Sequence, residues 1–144
     1  SSNYVGGIAG FDYFGSITAC YNTGTVTGSS NSVGGIAGKN YFGTFAACYF
    51  LSGTAALGVG EGTSTGVSSV ASIKDLNGAV APLNGGIAMW NATYPSPNAK
   101  FCNFHFVTGT DITKDIPTLA AGVIDANNST VGSMGFDGGS WSEN

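Results

Sequence analysis

The side chains that could carry chemistry are few and scattered. His105 is the one histidine, and no nucleophile is paired with it in the sequence. It reads as a structural or solvent-facing histidine on a strand. No serine sits in a Gly-x-Ser-x-Gly elbow. The acids are Asp12, Glu61, Asp75, Asp111, Asp115, Asp125, Asp137 and Glu143. Hydrolysis of sugars wants two facing carboxylates, and no spacing singles out a pair. Asp111 and Asp115, with Thr110 and Thr113, offer oxygen ligands of the kind calcium takes; a solvated turn is the favoured account of them. Gly58-x-Gly60-x-Gly62 has neither the spacing nor the following helix of a dinucleotide fingerprint. Gly38-Lys39 lacks the Ser/Thr of a phosphate loop. The expectation is a non-enzyme with no catalytic residue, cofactor or metal.

Cys20 and Cys48 are three positions past Ile17 and Phe45, in matching surroundings. Three readings stay open: stacked buried thiols behaving as small apolar groups, a Cys20–Cys48 disulfide, or part of a metal site. The first is favoured. Directly stacked strand neighbours rarely offer the torsion a disulfide needs, and no His or Asp follows at ligand spacing. With Cys102 the count is odd, unlike a disulfide framework.

Those cysteines belong to a repeat. Val5-Gly6-Gly7-Ile8-Ala9-Gly10 returns letter for letter as Val33-Gly34-Gly35-Ile36-Ala37-Gly38. At the same shift, Tyr13-Phe14-Gly15 returns as Tyr41-Phe42-Gly43, and Ala19-Cys20-Tyr21 as Ala47-Cys48-Tyr49. A repeat of this length marks a stacked architecture. Each unit divides into three short strand-like pieces at glycine corners: Val5–Gly10, Ser16–Asn22 and Gly24–Thr27, then Val33–Gly38, Thr44–Leu51 and Thr54–Ala56. β-Branched and aromatic residues fill them. Alternation places Ile17, Ala19 and Tyr21 inward, with Phe45, Ala47 and Tyr49. Gly7 and Gly35 must serve geometry, by corner or by close approach.

The resulting expectation is mainly β: a short parallel β-solenoid of two clear 28-residue coils with a small C-terminal cap of one short helix plus strands. Residues 1–60 form the repeat region and 61–144 the cap, within one continuous domain. The repeat dissolves over 56–69, which line up in number with a third coil but keep only its glycines; a degenerate last strand is expected near Ala56–Val59, then an irregular crossing. Ser72 to Asp75 resembles a capping box, followed by a turn or two from Ile73 and a helix around Pro82–Trp90. That helix is expected to cover the open end of the solenoid. Lys100–Val107, Leu119–Asp125 and Thr130–Phe136 read as strands, the last two joined by an Asn127-Asn128 turn, and the tail from Gly138 as loose except where Trp141 docks.

Composition narrows the partners. The chain has 144 residues, no arginine, four lysines, a net charge of -4 and only 8% charged residues. Nucleic acid needs basic residues to neutralise phosphate, so it is excluded as a partner. No window approaches the roughly 18 apolar residues of a membrane helix. Ser1 reads as a processing or excision boundary. Tyr13, Phe14, Tyr41 and Phe42, at the corner between the first two strands, are the candidate binding surface. Exposed, they would grip glycan rings or a partner chain; packing under a neighbouring loop is the favoured account.

The repeated Val-Gly-Gly-Ile-Ala-Gly, the aromatic and glycine after it, and the Cys-Tyr pair resemble the GLUG-motif repeat family. Ile8 and Ile36 stand where that motif has leucine. The resemblance covers about residues 4–50. It implies an extracellular or surface-anchored bacterial protein, adhesin-like or fimbria-associated, and no catalytic residue. The functional expectation is an adhesin-like binding module or spacer, with a glycan or protein on a host or neighbouring cell as partner. The alternative is a structural subunit of a filament, in which copies of the chain are the partner. A carbohydrate-active enzyme has fold analogy alone behind it.

Overall fold

The computed structural model describes residues 3–94, 103–105 and 111–119, and the strand segments 123–124, 130–132, 134–137 and 140–143. The first unit folds as four short strands: β1 (Val5–Gly6), β2 (Ala9–Tyr13), β3 (Ser16–Thr18) and β4 (Tyr21–Asn22). The second repeats them as β5 (Val33–Gly34), β6 (Ala37–Tyr41), β7 (Thr44–Ala46) and β8 (Cys48–Leu51). Every strand pairs in parallel with its counterpart, and the register equals the sequence repeat. Val5 faces Val33, Tyr13 faces Tyr41, Ile17 faces Phe45 and Tyr21 faces Tyr49. Amides between the strands continue the ladder: Ile8 N–H donates to Ile36 O at 2.9 Å, and Ala19 N–H to Ala46 O at 2.9 Å.

A third tier follows where the sequence showed only glycines. β9 (Val59–Glu61) pairs with β6, Val59 opposite Ala37 and Glu61 opposite Lys39. β10 (Val67–Val70) pairs with β8, Val67 opposite Cys48. The steps from Ala37 to Val59 and from Cys48 to Val67 are both shorter than the step from Val5 to Val33, and they differ from each other. This tier is therefore shortened and escapes a search at the spacing of the first two. The segments 24–27 and 54–56, read as third strands, are not strands. Ser16–Asn22 is two strands, because Ala19 turns the chain with φ 54°; Ala47 does the same at 52°.

That corner overturns the inward assignment of Ala19 and Tyr21. Alternation holds up to Thr18, then resets. Ile17, Cys20, Phe45, Cys48 and Phe50 share the interior with Ile36, Ala37, Val59 and Val67. Tyr21 and Tyr49 point the other way and join Ala19, Leu83, Ile87 and Phe104 in a second cluster. Amphipathic reading of a strand assumes an unbroken pleat, and one left-handed residue reverses the faces beyond it.

α1 (Ile73–Gly78) begins at Ser72, whose Oγ accepts the Asp75 amide at 3.2 Å and donates to the Asp75 carboxylate at 2.7 Å. α2 (Val80–Thr93) carries Pro82 in its first turn, where no intrahelical donor is lost. It does not cover an end of the stack. Gly86 lies against Thr18, Ala19 and Ala47, so the helix crosses the flank of both units. β11 (Phe104–His105) pairs antiparallel with β12 (Thr118–Leu119). Asn84 of α2 binds the Phe104 main chain from both ends of its amide. β13 (Val123–Ile124) pairs with β14 (Thr130–Gly132). β15 (Met134–Asp137) pairs with β16 (Ser140–Glu143), so the tail expected to be loose includes a strand of a hairpin. Thr130–Phe136 is split between β14 and β15. Of the expected Lys100–Val107 strand, Cys102 and Phe106 lie outside the described residues.

Glycine permits the close stacking. A Cβ on Gly38 would fall 2.4 Å from Val5 N and 2.6 Å from Gly10 O. Gly7 and Gly35 serve the same end without left-handed backbone: a Cβ there would meet Gly35 O at 2.3 Å and the Phe50 ring at 2.6 Å. Gly38→Ala is expected to cost at least ~3 kcal/mol, since main chain on both sides would have to move. Gly85, on α2 with nothing within 4 Å of an added Cβ, is the control: Gly85→Ala should gain about 0.5–1 kcal/mol. Urea unfolding midpoints of the two variants test both.

Candidate functional site

The corner after β2 and β6 is built by a buried Asx residue. Asp12 Oδ1 accepts the Gly15 amide at 2.9 Å, and Asn40 Oδ1 accepts the Gly43 amide at 2.7 Å. These turns lift the two residues between them, Tyr13-Phe14 and Tyr41-Phe42, away from the stack. Phe14 and Phe42 have φ of 56° and 62°, a left-handed conformation that favours Gly or Asn and strains a bulky side chain. The strain is held by the turn on either side.

The structure brings all four sequence-predicted residues together. Tyr13 and Tyr41 stack at 5.5 Å with planes 6° apart, and Phe14 stacks on Phe42 at 5.2 Å. Within each unit the pair meets edge to face, at 4.8 Å and 4.6 Å. None is covered by a loop: Phe14 is 63% exposed and Phe42 69%. Two further rings extend the surface. Phe11 is 5.9 Å from Tyr13, and Tyr4 stacks on Phe11 at 5.3 Å. The signal for Phe11 was its place two residues before Tyr13 on one strand face. The repeat hid it, because its counterpart is Lys39. The Lys39 ammonium stands 5.3 Å over the Tyr4 ring and pairs with Glu61 at 2.7 Å. That pairing raises the pKa of Lys39 and, with the Ser32 hydroxyl, lowers that of Glu61.

The other candidates are structural in their contacts. Asp111 accepts from the Thr113 amide and hydroxyl at 3.0 and 2.6 Å and pairs with Lys114 at 3.2 Å. Asp115 accepts the Asp111 amide at 2.7 Å. These bonds depress the Asp111 pKa, the Thr113 hydroxyl foremost. Both carboxylates thus close their own turn, with a lysine where a cation would go. Asn77 of α1 clamps that turn by donating to Ile112 O and Asp115 O. Among the described residues no three His, Cys, Asp or Glu side chains converge on one point. His105 is placed on β11; its side chain lies outside the description.

Cys20 and Cys48 are free thiols that stack in register. The hydrogen bond with Cys48 lowers the Cys20 pKa to about 7, against its desolvation. The same bond, then burial, pushes Cys48 up. Cys48 has no exposed surface, whereas Cys20 is half-buried.

A family profile described as the GLUG motif matches residues 1–27. The matched segment contains the first unit from β1 to β4 and its aromatic corner. No curated protein and no solved structure matches the chain.

Two outcomes follow from this geometry. The second Asp12 oxygen, Oδ2, is buried with no hydrogen-bond partner. Asn40, in the same place one unit later, uses its Nδ2 to reach Gly43 O at 3.1 Å and Thr63 O at 2.9 Å. An unsatisfied buried acceptor costs about 1–3 kcal/mol, so Asp12→Asn should raise the unfolding free energy by roughly 1 kcal/mol, read by chemical denaturation. Iodoacetamide at neutral pH should label Cys20 in the folded protein and Cys48 only after unfolding, read by peptide mass spectrometry.

Proposed function

We propose that this chain is a non-enzymatic module of an extracellular or cell-surface bacterial protein. It binds a partner through the aromatic ladder of Tyr13, Phe14, Tyr41 and Phe42, widened by Phe11 and Tyr4. In this reading the stacked tiers, through β10, are the coils of a short parallel β-solenoid with the segment from α1 onward packed on it, and the coils serve as a rigid mount. One observation carries the proposal. Phe14 and Phe42 are exposed and also held in left-handed backbone. Folding alone would be served better by glycine or asparagine there, and strain retained at an exposed bulky side chain points to use of that side chain.

The acids favour binding over catalysis. Asp12 supports the corner, Glu61 pairs with Lys39, Asp75 caps α1, and Asp111 and Asp115 hold a turn. Each of these five has a structural task; Asp125 and the side chains of Asp137 and Glu143 lie outside the described residues. The low charge leaves little long-range steering, so recognition depends on contact: the apolar faces of sugar rings, or apolar side chains of a host or neighbouring-cell protein. Binding on an array of glycans and matrix proteins should fall at least tenfold in Tyr41→Ala and in Phe42→Ala. Phe42→Gly should lose binding as well, while its melting temperature stays at or above that of the parent. Array binding unchanged in all three variants would refute the site.

A further inference from the structure

The third tier closes the interior of the second unit but stops short of its aromatic corner. Ile36 N–H donates to Gly58 O at 2.8 Å and Cys48 N–H to Gly66 O at 3.0 Å, and both residues are wholly buried. At the corner of the same unit, Tyr41 is 45% exposed and Phe42 69%. One side of these two rings is taken by the first unit, through Tyr13 and Phe14. β6 lies between β2 and β9, so the other side looks toward the third tier. What stands there is Gly62-Thr63-Ser64-Thr65, with no aromatic. A Cβ on Gly62 would fall 2.2 Å from Asn40 O, and Thr63 O accepts Asn40 Nδ2 at 2.9 Å. Extended by two residues, the register of Lys39 with Glu61 sets Thr63 opposite Tyr41.

The corner is therefore a ledge, with aromatic rings on one side and small hydroxyl residues on the other. Thr63, Ser64 and Thr65 are all exposed. Among the described residues, none of their hydroxyls is held by a hydrogen bond. Their main chain is engaged instead: Thr63 O by Asn40, and Ser64 O by the Val67 amide at 3.0 Å. An extended peptide adding as a strand would need such carbonyls; a ligand gripped by side chains does not. The charges beside the ledge cancel. Lys39 pairs with one Glu61 oxygen at 2.7 Å, and the Ser32 hydroxyl donates to the other at 3.1 Å. That pair offers no free cation to an acidic ligand and no free carboxylate to a basic one.

We infer that this ledge is the subsite for one ring of a neutral saccharide. The inference rests on the aromatic surface proposed above and selects sugars from the partners that reading allows. Neighbouring strands lie about 4.8 Å apart, so a flat ring one tier beyond Tyr41 takes the place a third aromatic would fill. The sugar lays a C–H face against Tyr41 and Phe42, whose ring faces carry partial negative charge. Its hydroxyls turn to Thr63, Ser64 and Thr65, which both donate and accept. An apolar side chain of a partner protein would use the rings but strip water from those hydroxyls without replacing its hydrogen bonds, and that is costly. A saccharide satisfies both sides of the ledge at once.

The probes are neutral hexasaccharides of glucose, galactose, mannose and xylose, with a hexauronate as the charged comparison. Each is titrated into the full chain and followed by calorimetry and amide chemical shifts. Saturable binding of a neutral hexasaccharide is expected, with shifts centred on Tyr41–Gly43 and Gly62–Thr65. Thr63→Tyr, at an exposed position, puts a ring of the protein's own on the ledge. It should weaken binding at least tenfold while the melting temperature stays near the parent's. Thr63→Val combined with Ser64→Ala removes two hydroxyls and little volume, and should weaken binding about fivefold or more. The inference is overturned if no neutral hexasaccharide saturates at millimolar concentration, if only the hexauronate binds, or if Thr63→Tyr binds as the parent does. Array partners that are proteins alone, lost in Tyr41→Ala, would overturn the saccharide and leave the aromatic surface standing. Array binding kept by both Tyr41→Ala and Phe42→Ala would remove the two together.

Discussion

Main chain stacked on main chain in register is the constraint on which the rest of this protein depends. Parallel tiers put like residues over like: Val5 on Val33, Tyr13 on Tyr41 and Tyr21 on Tyr49. Such columns are stable only if each residue type tolerates its own copy as neighbour. Apolar groups, aromatic rings and amides do; like charges do not. The scarcity of charge in the chain follows from this. Where charged residues enter a column, at Lys39 over Glu61, the signs are opposite.

The same stacking turns local geometry into surface chemistry. An Asx turn at Asp12 or Asn40 would be an ordinary corner in another fold. Here two of them lie one above the other, so two Tyr-Phe pairs become a continuous array of rings. The rings stack face to face along the tiers and stay exposed. The next flank uses the corners at Ala19 and Ala47. These small residues, with Thr18, let α2 come down on the main chain at Gly86. One flank is thereby closed by a helix, and the other keeps its aromatics in solvent.

The strand-rich, parallel character of the first half was legible because an exact repeat in sequence becomes a register when tiers are parallel. The stacking of the four corner aromatics was legible for the same reason; a covering loop was the favoured expectation, and their exposure was not legible. Phe11 and Tyr4 were not, since their columns are not aromatic in the second unit. Of the third tier only the length, the glycines and a degenerate strand near Ala56–Val59 were legible, because its steps, Ala37 to Val59 and Cys48 to Val67, share no period with the step from Val5 to Val33. The position of α2 was misjudged as well. Its apolar spacing shows that one face is buried, but spacing holds no information about which surface receives it.

The sequence by itself determined the repeating unit, the low charge and the scatter of its few acids and one histidine. Those are properties of residue identity and spacing, and no fold is needed to state them. Only the tertiary structure decided which side of each strand faces inward after Ala19, that Asp12 has an unsatisfied oxygen, and that Ile8 is open while Ile36 is closed. The physical reason is common to all three. Each depends on a single backbone angle or a neighbouring tier, and identical sequence in different surroundings carries no mark of which surroundings it has.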